Sequence, residues 1–189
     1  MYPLQSERTY LTLLTAAELP AMEALAREPD TFKYLKKLRV MTPEQYTQFL
    51  HAKLEQIRTG AGYHWAVWLR GNVIAPAGSE ATFIGAVNLN PIKRTGKPAA
   101  PDSPVKLQIG CQLKRDYWGQ GIASELMACL LRFATHELKL PAVYGVFEQD
   151  NQASRRLLEK LGFILEERFQ EEEIIAEVHK YISPLADMH

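Results

Sequence analysis

Hydrophobic and polar residues alternate along the middle of the chain and then change to a helical spacing. Every second residue is apolar between Val105 and Leu113, which is the pattern of a strand. The apolar positions from Ile122 onward follow one helix face, through Leu126 and Leu130. The segment between them, WGQGIA at residues 118–123, holds two glycines. We therefore predict a strand, a glycine turn and a helix in succession.

The glycine turn has the chemistry of an anion site. Glycine accepts backbone angles that other residues resist, and it leaves no side chain between the main-chain amides and a ligand. A helix N-terminus has unpaired N–H groups and a partial positive charge, which favour phosphate. The loop lacks the Lys-Ser/Thr ending of a nucleotide P-loop and the third glycine of a dinucleotide fold. A tight turn without a ligand remains the alternative.

The same spacings predict the other elements, with glycine, proline and polar clusters between them. Thr42, Pro43 and Gln45 mark a helix start, with Thr42 as the cap and Gln45 closing a capping box. Strands are predicted at residues 8–15, 63–70, 82–92, 164–169 and 173–182, helices at 16–26 and 42–59, a strand and then a helix within 141–163, and loops at 71–81 and 93–104. Together these elements predict an α/β (α+β) fold with a mixed sheet flanked by helices.

Composition narrows the class of protein. The chain has 189 residues, 47% of them hydrophobic, and no break in composition, so we expect one domain over residues 1–189. Lys and Arg balance Asp and Glu at 22 each, which gives no basic surface for nucleic acid. Glu7 and Arg8 interrupt the apolar N-terminus, and no run has membrane-spanning length. Cys111 and Cys129 suit reduced core residues of a cytoplasmic protein without a metal site.

Two motifs resemble those of a known family. Residues 117–123, YWGQGIA, resemble the acyl-CoA diphosphate loop of the GNAT superfamily of N-acetyltransferases, with Trp118 where that family usually has Arg or Gln. The second motif lies further along the chain, as in that family: Asn151 and Ser154 resemble its Asn-x-x-Ser segment, and EKLGF at residues 159–163 resembles its helix ending. The Tyr-Trp-Gly-x-Gly form is similar to the ribosomal-protein N-terminal acetyltransferases.

The resemblance implies a fold and an activity. The implied fold is a single GNAT-like domain with a mixed, mostly antiparallel sheet of about seven strands. The implied activity is transfer of an acetyl group from acetyl-CoA to a primary amine by direct attack in a ternary complex, with a protein N-terminus as the expected acceptor. A small-molecule acetyltransferase acting on a polyamine or drug-like amine, and a non-catalytic acyl-CoA sensing module, remain alternatives. No direct nucleic-acid or membrane partner is expected, and the chain could be a monomer or a homodimer.

The resemblance also assigns cofactor-binding residues. The strand before the glycine turn should part from its neighbour, so that the main chain around Cys111 and Leu113 can bind the pantetheine arm. The amides of the turn should bind the diphosphate, Asn151 the pantetheine, and two basic side chains the nucleotide phosphate. The turn residues are Gly119, Gln120, Gly121, Ile122, Ala123 and Ser124, and the basic residues are Arg156 and Lys160.

The catalytic residues are less clearly marked. Ser154 is placed to give a proton to the departing sulfur, although Asn151 and Ser154 could simply cap a helix. Related enzymes often have a glutamate where this chain has Gln108, so we assign the general base to Glu148, acting directly or through water, with a solvated strand-end carboxylate as the alternative. His64 and His179 are further candidates or ordinary strand residues. A cluster of glutamates at residues 166, 167 and 171–173 could attract an ammonium group or be a solvated hairpin.

Overall fold

The alternating segments join one mixed sheet in a computed structural model that describes residues 4–70, 81–92, 105–171 and 173–184. Its eight strands have the order β1-β2-β3-β4-β5-β6-β8-β7. The strands are β1 (Leu4–Gln5), β2 (Thr9–Leu13), β3 (Tyr63–Leu69), β4 (Thr82–Pro91), β5 (Leu107–Leu113), β6 (Ala142–Glu148), β7 (Ile164–Glu171) and β8 (Ile174–Ile182). The helices are α1 (Leu19–Ala26), α2 (Lys36–Arg39), α3 (Pro43–Arg58), α4 (Ile122–Arg132) and α5 (Gln152–Lys160).

The predicted fold class is confirmed, with small differences in the elements. Seven strands match predicted ones, and the eighth, β1, has only two residues, too few for a visible alternation. Helix α2 was also missed because four residues give no helical period. Residues 71–80 and 93–104, which cover almost all of the two predicted loops, lie outside the described residues.

The start of α3 follows the predicted local chemistry. The Thr42 side chain accepts a hydrogen bond from the Gln45 amide at 3.3 Å, and the Gln45 side chain accepts one from the Thr42 amide at 2.9 Å. This confirms the capping box, which satisfies two amides that a helix start would otherwise leave unpaired. The helix ends at Arg58, and Gly60 follows with φ at +70°.

The two faces of the sheet bury separate sets of apolar side chains. Alternate residues of a strand point to opposite faces, so each strand contributes to both layers. Helices α4 and α5 cover one face, where the core includes Leu126, Leu130, Val143, Phe147 and Leu158. Helices α1 and α3 cover the other face over β3 and β4, where the core includes Leu25, Leu50, Ala66 and Phe83.

The strands β5 and β6 open a cleft in the sheet. They are the parallel pair among the described strands, and they pair at one register only, Gln108 with Tyr144. Beyond that point β5 stays on β4 as far as Leu113, while β6 stays on β8 as far as Glu148. The carboxyl ends of β5 and β6 therefore separate, and the residues that follow each strand lie at the same edge of the sheet.

Candidate active site

The main chain of β5 turns groups that β4 does not bind toward the cleft. The Lys114 amide donates to the Ile84 carbonyl of β4 at 2.9 Å. Along an antiparallel strand, alternate residues bond to the same neighbour, so the main-chain groups of Cys111 and Leu113 point away from β4. They face the side from which β6 has diverged. This is the position in which we predicted that these two residues bind a pantetheine arm.

Trp118 closes the turn after β5 in a way the sequence did not indicate. Its indole N–H donates to the Leu113 carbonyl at 2.7 Å, and 45% of the residue remains exposed. The Leu113 carbonyl therefore already has one donor, while the Leu113 amide points toward the cleft. A tryptophan in place of the usual Arg or Gln of the motif thus has a structural use, since it folds the turn back onto the end of β5.

The glycine turn presents uncapped amides. Gly119 and Gly121 have φ values of +71° and +81°, which L-residues with a side chain rarely adopt. A Cβ built on Gly119 would meet no atom within 4 Å, so this side of the turn is open. Gly121 is the N-cap of α4 and has no side chain to bond the first amides of the helix, those of Ile122, Ala123 and Ser124. The donors and the open space fit a diphosphate.

The turn is fixed from both sides by side chains. Gln120 donates through its side-chain amide to the Asp116 carbonyl at 2.6 Å. Arg8, from the other end of the chain, donates to the Gln120 carbonyl at 2.8 Å and to the Glu125 carboxylate at 2.8 Å. Ser6 donates to the second oxygen of Glu125 at 3.1 Å. The Arg8 hydrogen bond holds the pKa of Glu125 below its usual value, although partial burial alone would raise it.

The second motif begins helix α5 at the end of β6. The Asn151 side-chain oxygen accepts from the Ser154 amide at 3.1 Å, so Asn151 is the N-cap. Capping uses the oxygen, and the NH₂ group of Asn151 remains as a donor for a ligand. Ser154 is half-buried, and Glu148, also half-buried, is the last residue of β6. Glu148 ends β6, and Asn151 and Ser154 follow it as the glycine turn follows β5, so the parallel strands bring both motifs to the same edge.

A buried carboxylate lies beneath α5. Glu177 of β8 is 1% exposed and accepts from Arg155 at 2.9 Å and from Arg168 at 2.8 Å. His179 lies 3.2 Å from its second oxygen. Burial would raise the pKa of Glu177, but the hydrogen bonds from Arg168 and His179 and the charge of Arg155 hold it below its usual value. Arg155 also donates to the Gln149 carbonyl at 3.1 Å, which ties the β6–α5 turn to β8.

The structure separates several other candidates from the cleft ends. His64 is buried under α3, 2.9 Å from the Gln56 side-chain oxygen, and burial, with the nearby charge of Lys53, lowers its pKa to about 3. His179 belongs to the Glu177 cluster and packs on Phe147. Both histidines are therefore buried and make packing and hydrogen-bond contacts within the fold.

One member of the predicted acidic cluster, Glu166, is compensated by two lysines. Glu166 forms ion pairs with Lys106 at 3.1 Å and Lys180 at 3.4 Å. Lys180 is paired with Tyr144, so Glu166 lies at the closed end of the cleft. Glu167 belongs to β7 beside Glu166, Glu173 lies in the turn before β8, and residue 172 is outside the described residues. Arg156 and Lys160 are exposed on α5.

Comparison with known proteins decides the family. The sequence matches the model of the acetyltransferase (GNAT) domain over residues 8–164, which is most of the chain. The chain belongs to the GNAT family. It is therefore an acetyl-CoA-dependent N-acetyltransferase by family. The uncharacterized N-acetyltransferase YoaA of Bacillus subtilis (strain 168) is 23% identical over 164 residues, which cover 86% of this chain and 84% of that protein.

Solved GNAT structures share the fold. RimL, a ribosomal L7/L12 alpha-N-protein acetyltransferase solved with coenzyme A, has a TM-score of 0.75 at 18% identity, covering 98% of this chain and 100% of its own. The spermidine N-acetyltransferase of Vibrio cholerae, solved with coenzyme A and spermine, has a TM-score of 0.71 at 16% identity, covering 93% and 96%. At these identities the likeness shows the fold alone, and the two proteins act on different acceptors.

Two further observations bear on the surroundings of this GNAT site. A cavity of about 460 Å³ lies along α4, with walls that include Ser6, Glu125 and Cys129 and no residue of β5 or β6, so it is distinct from the space between those strands. Within the described part of the chain, no helix is long and apolar enough to cross a membrane.

Proposed function

We propose that this enzyme transfers the acetyl group of acetyl-CoA to the α-amine of a protein or peptide N-terminus. The observation that carries the acetyl-transfer site is the divergence of β5 and β6 beside the uncapped start of α4. This arrangement supports a path along which main-chain donors would bind the diphosphate and then the pantetheine arm. Both sets of donors are backbone groups, so they hold their positions without ordering long side chains.

Each part of acetyl-CoA has proposed partners along this path. The amides of residues 119–124 would bind the diphosphate. The side chain of Ile122 is buried, so this residue would contribute its amide alone. The amide of Leu113 and the main chain of Cys111 would bind the pantetheine arm, together with the NH₂ group of Asn151. Arg156 and Lys160 lie one turn apart on the exposed surface of α5, where they could reach the nucleotide phosphate.

Direct transfer fits the chemistry of the cleft. The amine nitrogen attacks the thioester carbonyl, a C–N bond forms, the C–S bond breaks, and the thiolate takes up a proton. We assign the proton to Ser154, directly or through water, and the removal of the proton from the amine to Glu148. Burial raises the pKa of Cys111 to about 12, so its thiol stays protonated near neutral pH and is a poor nucleophile for a covalent route.

The face of the sheet opposite α4 and α5 favours a peptide acceptor. Asn88 and Asn90 of β4 lie on this face, and the Asn90 side-chain amide donates to the Asn88 side-chain oxygen at 2.7 Å. Gly110 of β5 lies beside them, since a Cβ there would be 2.9 Å from the Asn88 side chain. By strand alternation Gln112 shares the same face. Neutral amides can both donate to and accept from a peptide main chain.

The charges on this face also favour a peptide acceptor over a polyamine. A polyamine would be attracted most by several uncompensated carboxylates. Glu166 is compensated by two lysines, and His64 is neutral near pH 7 because its pKa is about 3. We propose that Glu148, at the end of β6, receives the proton from the single amine of an N-terminus.

A thiol-release assay with an acceptor panel tests the proposal. The panel pairs peptides that have free N-termini with the same peptides blocked at the N-terminus, and adds spermidine and simple amines. We expect thiol release with free peptides only, and mass spectrometry should place the acetyl group on the first residue. Faster turnover of spermidine would favour a small-molecule enzyme. Binding of coenzyme A by calorimetry without amine-dependent thiol release would favour a sensing module.

A further inference from the structure

We propose that Arg8 is a positioning residue for coenzyme A, which acts by holding the Gln120 carbonyl and the Glu125 carboxylate on the outer side of the glycine turn. The inference rests on the proposed diphosphate site at residues 119–124. Arg8 and Glu125 are 117 positions apart in the sequence, and neither belongs to the glycine motif. Their contact joins the β1–β2 turn to the first turn of α4.

The contact with Gln120 orients a donor of the turn. In a trans peptide the carbonyl of one residue and the N–H of the next point in opposite directions. Arg8 holds the Gln120 carbonyl at 2.8 Å, so the Gly121 N–H must point away from Arg8. Because a Cβ on Gly121 would come 3.4 Å from the Arg8 guanidinium, the two lie side by side. Without this hold, the peptide between Gln120 and Gly121 could rotate, and the Gly121 N–H would no longer be fixed toward a phosphate.

The contact with Glu125 removes an unfavourable charge. Glu125 lies in the first turn of α4, where the helix dipole and free amides favour an anion. An unpaired carboxylate there would occupy or repel the same positive region that a diphosphate needs. Arg8 compensates it, and Ser6 holds its second oxygen at 3.1 Å. The partial positive charge at the helix start is then left for the ligand.

Calorimetric titration with coenzyme A tests the inference on the full chain. Arg8→Met removes both contacts. Its matched control is Arg58→Met, which also removes one charge and one arginine–glutamate pair, that with Glu55, at the far end of α3. We expect Arg8→Met to raise Kd about tenfold or more, since charge-assisted contacts are involved. Arg58→Met should leave Kd unchanged.

Two more variants separate the two effects. Arg8→Lys keeps the charge but lacks the planar fork that bonds two acceptors at once, so it should raise Kd less than Arg8→Met. Adding Glu125→Gln to Arg8→Met removes the uncompensated carboxylate, so it should restore part of the affinity. If Arg8→Met does not fold, the single Arg8→Lys variant is compared with Arg58→Lys. The expected result is then a raised Kd for Arg8→Lys only.

The backbone itself gives a second readout. In ¹⁵N spectra of the wild type, the Gly121 amide should shift strongly when coenzyme A is added, and Arg8→Met should reduce that shift at saturation. Equal Kd values for the Arg8 variants and their Arg58 controls, with wild-type binding intact, would overturn the role of Arg8 alone. No binding of coenzyme A by folded wild-type protein would instead overturn the proposed cofactor site.

Discussion

Replacing Gly121 by alanine should weaken coenzyme A binding far more than it destabilises the fold. Gly121 has φ at +81°, and an L-residue in this left-handed region costs roughly 1–2 kcal/mol. Gly60, at the end of α3, has φ at +70° and no atom within 4 Å of an added Cβ. Gly60→Ala is therefore a matched control, with the same backbone cost away from the cleft.

The expected magnitudes differ between folding and binding. Each alanine variant should lose roughly 1–2 kcal/mol of stability, which is a few degrees in Tm for a chain of this size. In Gly121→Ala the backbone must also either keep its angle, with the methyl group 3.4 Å from the Arg8 guanidinium, or relax and turn the N–H away. Losing one charge-assisted hydrogen bond of about 1.5–3 kcal/mol corresponds to a roughly 10- to 100-fold weaker Kd.

Urea unfolding and calorimetry with coenzyme A measure the two quantities on the same samples. We expect both variants to lose similar stability and only Gly121→Ala to lose affinity. If both variants bind coenzyme A as the wild type does, while Gly121→Ala is folded, the assignment of the diphosphate to this turn is wrong. If both lose affinity equally, the effect comes from general destabilisation.

Three further predictions concern catalysis, positioning and pH. Ser154→Ala should lower kcat more than it changes the KM for acetyl-CoA, and an unchanged kcat would remove its hydroxyl from the mechanism. Arg155→Met should lower kcat several-fold because it frees the β6–α5 turn. Arg168→Met, which removes another partner of Glu177, should leave kcat unchanged. Equal kcat values for the two variants would leave Arg155 with a structural role only. Because folding lowers the pKa of His64 to about 3, the unfolded state binds more protons below pH ~6.5, and stability should fall there by up to about 1.4 kcal/mol per pH unit. Urea unfolding between pH 4 and 7 should show a shallower slope for His64→Asn, and an identical slope would contradict the shift.

Local patterns in the sequence predicted most of the fold. Thr42 and Gln45 specify the start of α3 because a capping box involves only neighbouring residues. The alternation at residues 105–113 predicted β5, and the two glycines predicted a left-handed turn that the structure has at Gly119 and Gly121. The family motifs gave the order of the parts and the expected divergence of β5 from its neighbour.

The contacts that shape the site were not visible in the sequence. Nothing in the local pattern around Arg8 indicates that it reaches Gln120 and Glu125, and Arg155 gave no sign that it turns inward to Glu177. The acidic residues near the hairpin were compatible with an ammonium-attracting rim or a solvated hairpin, and only strand register puts Glu166 at the closed end of the cleft.

The sequence by itself determined seven of the eight described strands, the start of α3, the glycine turn and the family, because each depends on residues that are near neighbours in the chain or on motifs read in order. The tertiary structure alone decided which side chains hold the turn and which acids lie at the cleft. Those contacts depend on strand order and register, which bring together residues as far apart as Arg8 and Glu125. Such pairs leave no periodic signal, since the hydrogen bond forms only after the sheet has brought the two segments together.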